Sequence, residues 1–195
     1  MIVGLGNWEE RYQNTRHNIG FLVLDRLLLR ALPSHSWQKN SRVDCLVVKT
    51  ENFLLAKPQV LMNNSGSAVK KLVNFYKINS EKLLVVHDDL DLNFGEIKIS
   101  KEQGAAGHRG VKSVIEALGT KNFWRVRVGI SRPLDDQKAG CSENDKSRQV
   151  TDYVLSKFDR SEKKQLYQTV NKTVKIIKQG IESGFERLEG KHGIK

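Results

Sequence analysis

Cysteine is scarce in this chain of 195 residues: Cys45 and Cys141 stand alone, with no CxxC pair and no histidine cluster beside either. That pattern argues against a zinc site and a disulfide scaffold, and it suits reduced thiols inside a cell. Long apolar runs are missing as well. None approaches the roughly 18 residues of a membrane-spanning helix, and the N-terminus lacks the layout of a signal peptide, so no membrane association is expected. A third glycine is absent where it would matter. Gly4-Leu5-Gly6 follows a short apolar run, but a dinucleotide fingerprint would need glycine at the position of Glu9, whose carboxylate would face a pyrophosphate. Acidic residues are the last shortfall. Twenty-two Asp and Glu against 33 Lys and Arg leave a net charge of +11, which favours a polyanionic partner, most simply nucleic acid.

What is present fits one domain with a real core, without internal repeat or interdomain linker. The chain is organised around the stretch from Gly4 to Gly20, which reads as strand, polar loop, then helix. It places an amide, Asn7, and an imidazole, His17, at a strand's carboxyl end, where open α/β sheets bind and transform ligands. Taken alone, His17 would equally serve as a helix-entry residue. The chain opens at Met1 directly inside a core strand, which leaves room for an upstream targeting segment, so either a cytoplasmic or a mitochondrial location is expected.

Ile19 to Leu32 is apolar nearly all round and closed by Pro33, as in a largely buried helix. Residues 33–42 read as a polar connection. Val43–Thr50 and Asn52–Lys57 read as a hairpin ended by Pro58. Asn63, Asn64 and Ser65 precede a helical period through Ala68, Val69, Leu72, Val73 and Tyr76. Asn64 or Ser65 is the expected N-cap, whereas Asn63 suits a cap or a substrate contact equally. Leu83 to Val86 reads as a central strand that delivers His87-Asp88-Asp89-Leu90-Asp91 at its end. These carboxylates could bind a divalent metal, but no second acidic cluster would complete the ligand set; one could instead orient a histidine, and His17 is the obvious partner. Gly95–Lys101 alternates as a strand with one solvated face. A small-residue loop, Gln103 to Gly110, then opens a helix over Val111–Leu118, an entrance suited to an anion. Residues 98–127 carry a net charge of +5, which locates the polyanion surface. Trp124–Ser131 reads as a strand, 132–149 as a surface loop, and 189–195 as a flexible tail. Asp159-Arg160-Ser161-Glu162 has the form of a capping box opening a long amphipathic helix whose apolar positions run from Leu166 to Leu188.

With these blocks in order, the chain resembles the peptidyl-tRNA hydrolases of the bacterial type, which also occur in eukaryotic organelles. The residues that carry the likeness are Gly4-Leu5-Gly6-Asn7, Tyr12, Thr15-Arg16-His17-Asn18, Gly20, Met62-Asn63, Ser65-Gly66, His87-Asp88, Leu90-Asp91, Gly107-His108, Gly110 and Arg125 to Ile130. The resemblance implies an α/β fold of three layers, α/β/α, with a mixed, mostly parallel sheet, to which the long C-terminal helix read above is added. It also implies hydrolysis of the ester between a peptide and the 3′ ribose of tRNA. Carried over, His17 is the catalytic base, Asp88 its orienting carboxylate, and Asn7 and Asn63 the amides that hold substrate and water. Tyr12, Met62, Asn63, His108 and Arg109 are expected against the substrate, and Lys98, Lys101 and Arg127 against tRNA phosphates. No metal and no cofactor are expected, and a monomer is. Two departures stand out: Trp8-Glu9 where the family usually has Pro-Gly, and Arg109 where it usually has asparagine. They motivate a rival reading, an RNA-binding protein that has lost hydrolysis. Against it stand His17, Asp88, Asn7 and Asn63 together, which binding alone does not require.

Overall fold

The computed structural model describes residues 1–131 and 143–190; Cys141, part of the expected 132–149 loop and most of the expected tail lie outside them. In chain order the elements are β1 (Ile2–Gly4), α1 (Ile19–Ala31), β2 (Gln38–Asn40), β3 (Cys45–Lys49), β4 (Leu54–Pro58), α2 (Ser65–Tyr76), β5 (Leu84–Asn93), β6 (Ile97–Lys101), α3 (Arg109–Leu118), β7 (Trp124–Ser131), α4 (Glu143–Leu155) and α5 (Lys163–Ser183).

One sheet holds all seven strands in the order β2-β3-β4-β1-β5-β7-β6. The inner four, β4, β1, β5 and β7, are parallel, and antiparallel strands extend both edges. Because side chains alternate across a strand, neighbouring residues feed opposite cores. Ile2, Leu84, Val86, Val126 and Val128 pack beneath α1 and α5. Val3, Leu5, Val85 and Ala56 pack beneath α2 and α3. The result is three layers, with the functional loops gathered at the carboxyl ends of the parallel strands.

The opening glycines serve packing. A Cβ on Gly4 would sit 2.5 Å from the Gly20 carbonyl oxygen, and one on Gly20 would sit 2.5 Å from the carbonyl oxygens of Leu5 and Val86. The first turn of α1 therefore lies directly on the backbone of β1 and β5, which places His17 over the sheet.

Several boundaries differ from the sequence reading. β5 does not stop at Val86 but pairs with β7 through Asp89 and ends at Asn93. The polar connection after α1 contains β2, an edge strand. Leu29 of α1 is 62% exposed, so that helix buries one face only. Residues 143–149, expected as loop, are the first half of α4. Their polar composition hid a helix that is held by tertiary contacts, including the Tyr153 hydroxyl donating to the Ile130 carbonyl at 2.6 Å. The capping box forms as expected, but α5 ends at Ser183. Gly184 breaks the period, and Phe185 folds back against Gly180 and tilts over Trp124.

Candidate active site

A cleft of about 490 Å³ opens at the carboxyl end of the sheet. One wall is the loop before α1, with Asn7, Tyr12 and His17; a second is the turn of Leu61, Met62 and Asn63. The end of β5 supplies Asp88 to Asp91, the α3 entrance supplies His108 and Arg109, and α4 closes the remaining side with Val150 and Val154. Chain segments far apart in sequence thus bring together Asn7, Tyr12, His17, Met62, Asn63, Asp88, His108 and Arg109.

At the centre, the Asp88 carboxylate is 2% exposed and holds two imidazoles. His17 Nδ1 lies 2.9 Å from Oδ1 and 3.0 Å from Oδ2. His108 Nε2 lies 2.8 Å from Oδ1. Burial by itself would raise the Asp88 pKa, but His17 and His108 outweigh it and hold the carboxyl well below the usual carboxylate range. An ionised carboxylate only accepts, so both facing ring nitrogens carry protons. His108 Nδ1 accepts the backbone N–H groups of Gly110 and Val111, at 3.1 and 3.2 Å, and so caps α3. Its tautomer is fixed from both sides. For His17 the carboxylate fixes the proton on Nδ1 alone, so in the neutral ring the lone pair is on Nε2. These three residues are also the one grouping among the described residues with metal-ligand spacing. The facing nitrogens are protonated donors to Asp88, however, so they offer no lone pairs for an ion between them.

His87 lies alongside, with Nδ1 donating to the Asp88 carbonyl at 2.6 Å and its ring edge-on to His108. Burial, reinforced by His108 and Arg125, pushes its pKa well below the ordinary histidine value, so this ring is neutral.

Asn7 is fixed by a reciprocal pair with Asn18: its N–H donates to Asn18 Oδ1 at 2.8 Å, and Asn18 Nδ2 donates to its carbonyl at 2.9 Å. Asn7 Oδ1 in turn accepts the Met62 N–H at 2.7 Å. That leaves Asn7 Nδ2 as a donor without a partner among the described residues, on a side chain that lines the cleft. Asn63 is exposed on the facing wall and caps nothing, whereas Asn64 takes the N-cap position of α2 without a side-chain bond. Met62 is buried against the α3 entrance, where a Cβ on Gly110 would sit 2.4 Å from its sulfur.

Sequence reasoning gave no role at the site to Asn18 or Arg16, and read Glu162 only as part of a capping box. Arg16 is buried, forks onto both Glu162 oxygens at 3.1 and 2.9 Å, and donates from Nε to Ser156 Oγ at 3.2 Å. Its guanidinium lies between the Tyr153 and Phe158 rings. One side chain therefore ties the turn bearing His17 to the end of α4 and the start of α5. The signal available was a capping box whose glutamate also needed a cation.

The expected phosphate-binding set separates. Lys98 stands partly exposed beside Arg127 across the β6–β7 pair. Arg127 is not a free cation: its guanidinium is buried and paired with Asp89, its diagonal neighbour on the same face of β5. Lys101 lies three residues beyond Lys98, so it projects from the opposite face, over the Trp124 ring at 5.4 Å. Arg109 is exposed on the cleft rim at the first residue of α3, with no ion-pair partner among the described residues. A cation there opposes the helix dipole, a placement that an anionic ligand would compensate. Arg125 is mostly buried, donates to the Gly104 carbonyl at 2.9 Å, and has its pKa lowered to about 10 by burial and then by Arg127.

The chain has relatives among known proteins. The family model described as peptidyl-tRNA hydrolase matches residues 1–192. A peptidyl-tRNA hydrolase of Mycoplasma capricolum is 40% identical over 91% of this chain and 90% of its own length. One from Bacillus subtilis is 37% identical over 95% and 93%. The crystal structure of peptidyl-tRNA hydrolase from Acinetobacter baumannii superposes with a TM-score of 0.79 at 26% identity, over 95% of this chain and 90% of that one. With a matching fold, and with near full-length matches on both sides, this chain belongs to the peptidyl-tRNA hydrolase family.

Proposed function

We propose that the chain hydrolyses the ester joining a peptide to the 3′ ribose of tRNA, with His17 as general base for a water. The observation that carries this reading is the hydrogen bond of His17 Nδ1 to buried Asp88, which puts the lone pair of the neutral ring on Nε2, in a cleft whose other polar groups include Asn7 and Asn63. An ester is already a good electrophile, so positioning a water, removing its proton and steadying the oxyanion suffice. His17 Nε2 takes the proton as the water oxygen bonds to the ester carbon. Asp88 stabilises the imidazolium, and Asn7 Nδ2, with Asn63 opposite, donates to the substrate and the developing oxyanion. On collapse the ribose 3′ oxygen leaves and takes the proton back from His17, releasing tRNA and a peptide with a free carboxylate. The scheme uses no metal, cofactor or second subunit.

Met62, Leu90, Val150 and Val154 offer the peptide an apolar wall, with Tyr12 near its end. Lys98 and Arg109 meet tRNA phosphates, while Arg127 is held by Asp89 and Lys101 lies on the opposite face of the sheet. A tRNA substrate places the enzyme where translation occurs, in the cytoplasm or a mitochondrion. A binding protein without hydrolysis would have no use for a buried carboxylate that fixes two tautomers. The test is incubation with N-acetyl-aminoacyl-tRNA beside free aminoacyl-tRNA. Release of tRNA from the first, and its loss in His17→Ala with tRNA affinity retained, is the expected result. Turnover by His17→Ala at the wild-type rate would sink the mechanism.

A further inference from the structure

Trp8 follows Asn7 directly and is 52% exposed, the most open of the large aromatic rings beside the cleft. It does not line the cleft itself. It borders a second hollow of about 300 Å³, formed with Lys39, Asn40 and Ser41 of the β2 edge and its following turn, and with Asp44 and Gln59. Gln59 lies two residues before Leu61, a residue of the cleft wall, so the same short stretch of chain lines both hollows.

The polar groups of this hollow divide into two kinds. Asn40 is committed, donating to the Tyr76 hydroxyl and accepting from the Arg42 N–H, and Asp44 is paired with Lys71. The Lys39 ammonium, the Ser41 hydroxyl and the Gln59 amide have no side-chain hydrogen bond or ion pair among the described residues. An exposed indole beside unpartnered donors and acceptors matches a flat ligand with an apolar face and a hydrogen-bonding edge. A nucleobase is such a ligand; an aliphatic peptide side chain would use the ring but leave the polar groups facing nothing. The cleft already offers apolar side chains to the peptide, on the α4 side.

We infer that Trp8 and this hollow receive the terminal nucleobase of the RNA, stacked on the indole with its edge toward Gln59, Ser41 and Lys39. The inference rests on the hydrolase reading and adds the subsite that recognises the leaving group. Trp8 is the chain neighbour of Asn7, whose amide holds the ester, so the indole is tethered beside the cleft. The exchange of the usual proline for tryptophan then gives this chain an aromatic platform of its own.

The experiment compares wild type, Trp8→Ala and Trp8→Phe on N-acetyl-aminoacyl-tRNA with a normal 3′ nucleoside and on the same substrate lacking the terminal base. Trp8 is exposed, so folding is not at stake. Trp8→Ala should lower kcat/KM on the normal substrate by roughly 5- to 150-fold, the range for one base on one aromatic ring. Trp8→Phe should recover most of it, and the baseless substrate should not distinguish the three proteins. An equal loss on both substrates, or a penalty that follows the identity of the acylated amino acid instead of the base, would overturn the inference. Binding separates this from failure of the hydrolase reading. In a Trp37→Phe background, uncharged tRNA should quench indole fluorescence more than tRNA shortened by its last nucleotide, whether or not ester is cleaved. Equal quenching by both would also overturn it.

Discussion

Replacing Asp88 by asparagine changes one atom in shape and two hydrogen bonds in kind. His108 has a fixed tautomer, because Gly110 and Val111 donate to its Nδ1, so its Nε2–H still needs an acceptor at the position of Asp88 Oδ1. The asparagine must therefore turn its oxygen to His108 and its NH₂ to His17 Nδ1, now 3.0 Å from Oδ2. Nδ1 also lies 2.9 Å from the Oδ1 position, but an N–H donor 3.0 Å away repels a proton there and favours acceptance on Nδ1, with the proton on Nε2, where the lone pair for water was. The base is present in the wrong tautomer and has lost the charge that stabilises its imidazolium. A carboxylate-to-amide exchange of this kind costs on the order of 10⁴-fold in kcat, or about 5.5 kcal/mol, with binding of tRNA unchanged. Single-turnover hydrolysis of N-acetyl-aminoacyl-tRNA, beside a separate titration with uncharged tRNA, measures both. Adding His108→Ala to Asp88→Asn releases the asparagine oxygen to face His17 and should restore part of the rate. A loss of less than tenfold in the single variant, or a double variant slower still, would refute the tautomer reasoning.

Stability should fall as pH drops below the ordinary histidine value of about 6.5, because the unfolded chain takes up a proton that buried His87 refuses. The slope approaches about 1.4 kcal/mol per pH unit for one such group, and His87→Gln should flatten it in thermal melts between pH 7 and 5. Asp88 acts in the same direction lower down: its contribution is complete above the ordinary carboxylate value and is lost as pH falls toward its depressed one. Arg109→Asn should weaken tRNA binding while raising turnover, since it removes a cation near the imidazolium that forms on His17; lower turnover with intact affinity would instead give Arg109 a catalytic role. Lys98→Ala should reduce the slope of log affinity against log salt by about one phosphate, seen mainly in KM. Arg127→Ala leaves the buried Asp89 carboxylate alone and should cost about 3–5 kcal/mol of folding stability, measured by denaturant unfolding; an ordinary melt with a lost salt slope would return Arg127 to the phosphate surface.

The sequence by itself determined the pieces whose physics is local. The apolar period of α5 and its capping box, the alternation of β7 and the glycine-bounded loop before α1 follow from side-chain spacing and backbone freedom, and each formed. The candidate site was legible because His17, Asp88, Asn7 and Asn63 are the residue types ester hydrolysis requires, in the order of a known family. What tertiary structure alone decided are partnerships across long stretches of chain. Asn63 could be assigned to the cleft only once Asn64 took the N-cap position. Arg127 and Lys98 look alike in sequence, yet the β5–β7 register sets one against Asp89 and leaves the other in solvent. Lys101 differs from Lys98 by an odd step along a strand, which sends it to the opposite face. The first half of α4 has too little apolar period to declare itself, because its helix depends on contacts with Ile130 and Arg16 that no local window contains. His108 shows the limit most plainly. Its two nitrogens are fixed by a helix it caps and a carboxylate twenty residues away, and neither bond can be read without the fold that closes them on one ring.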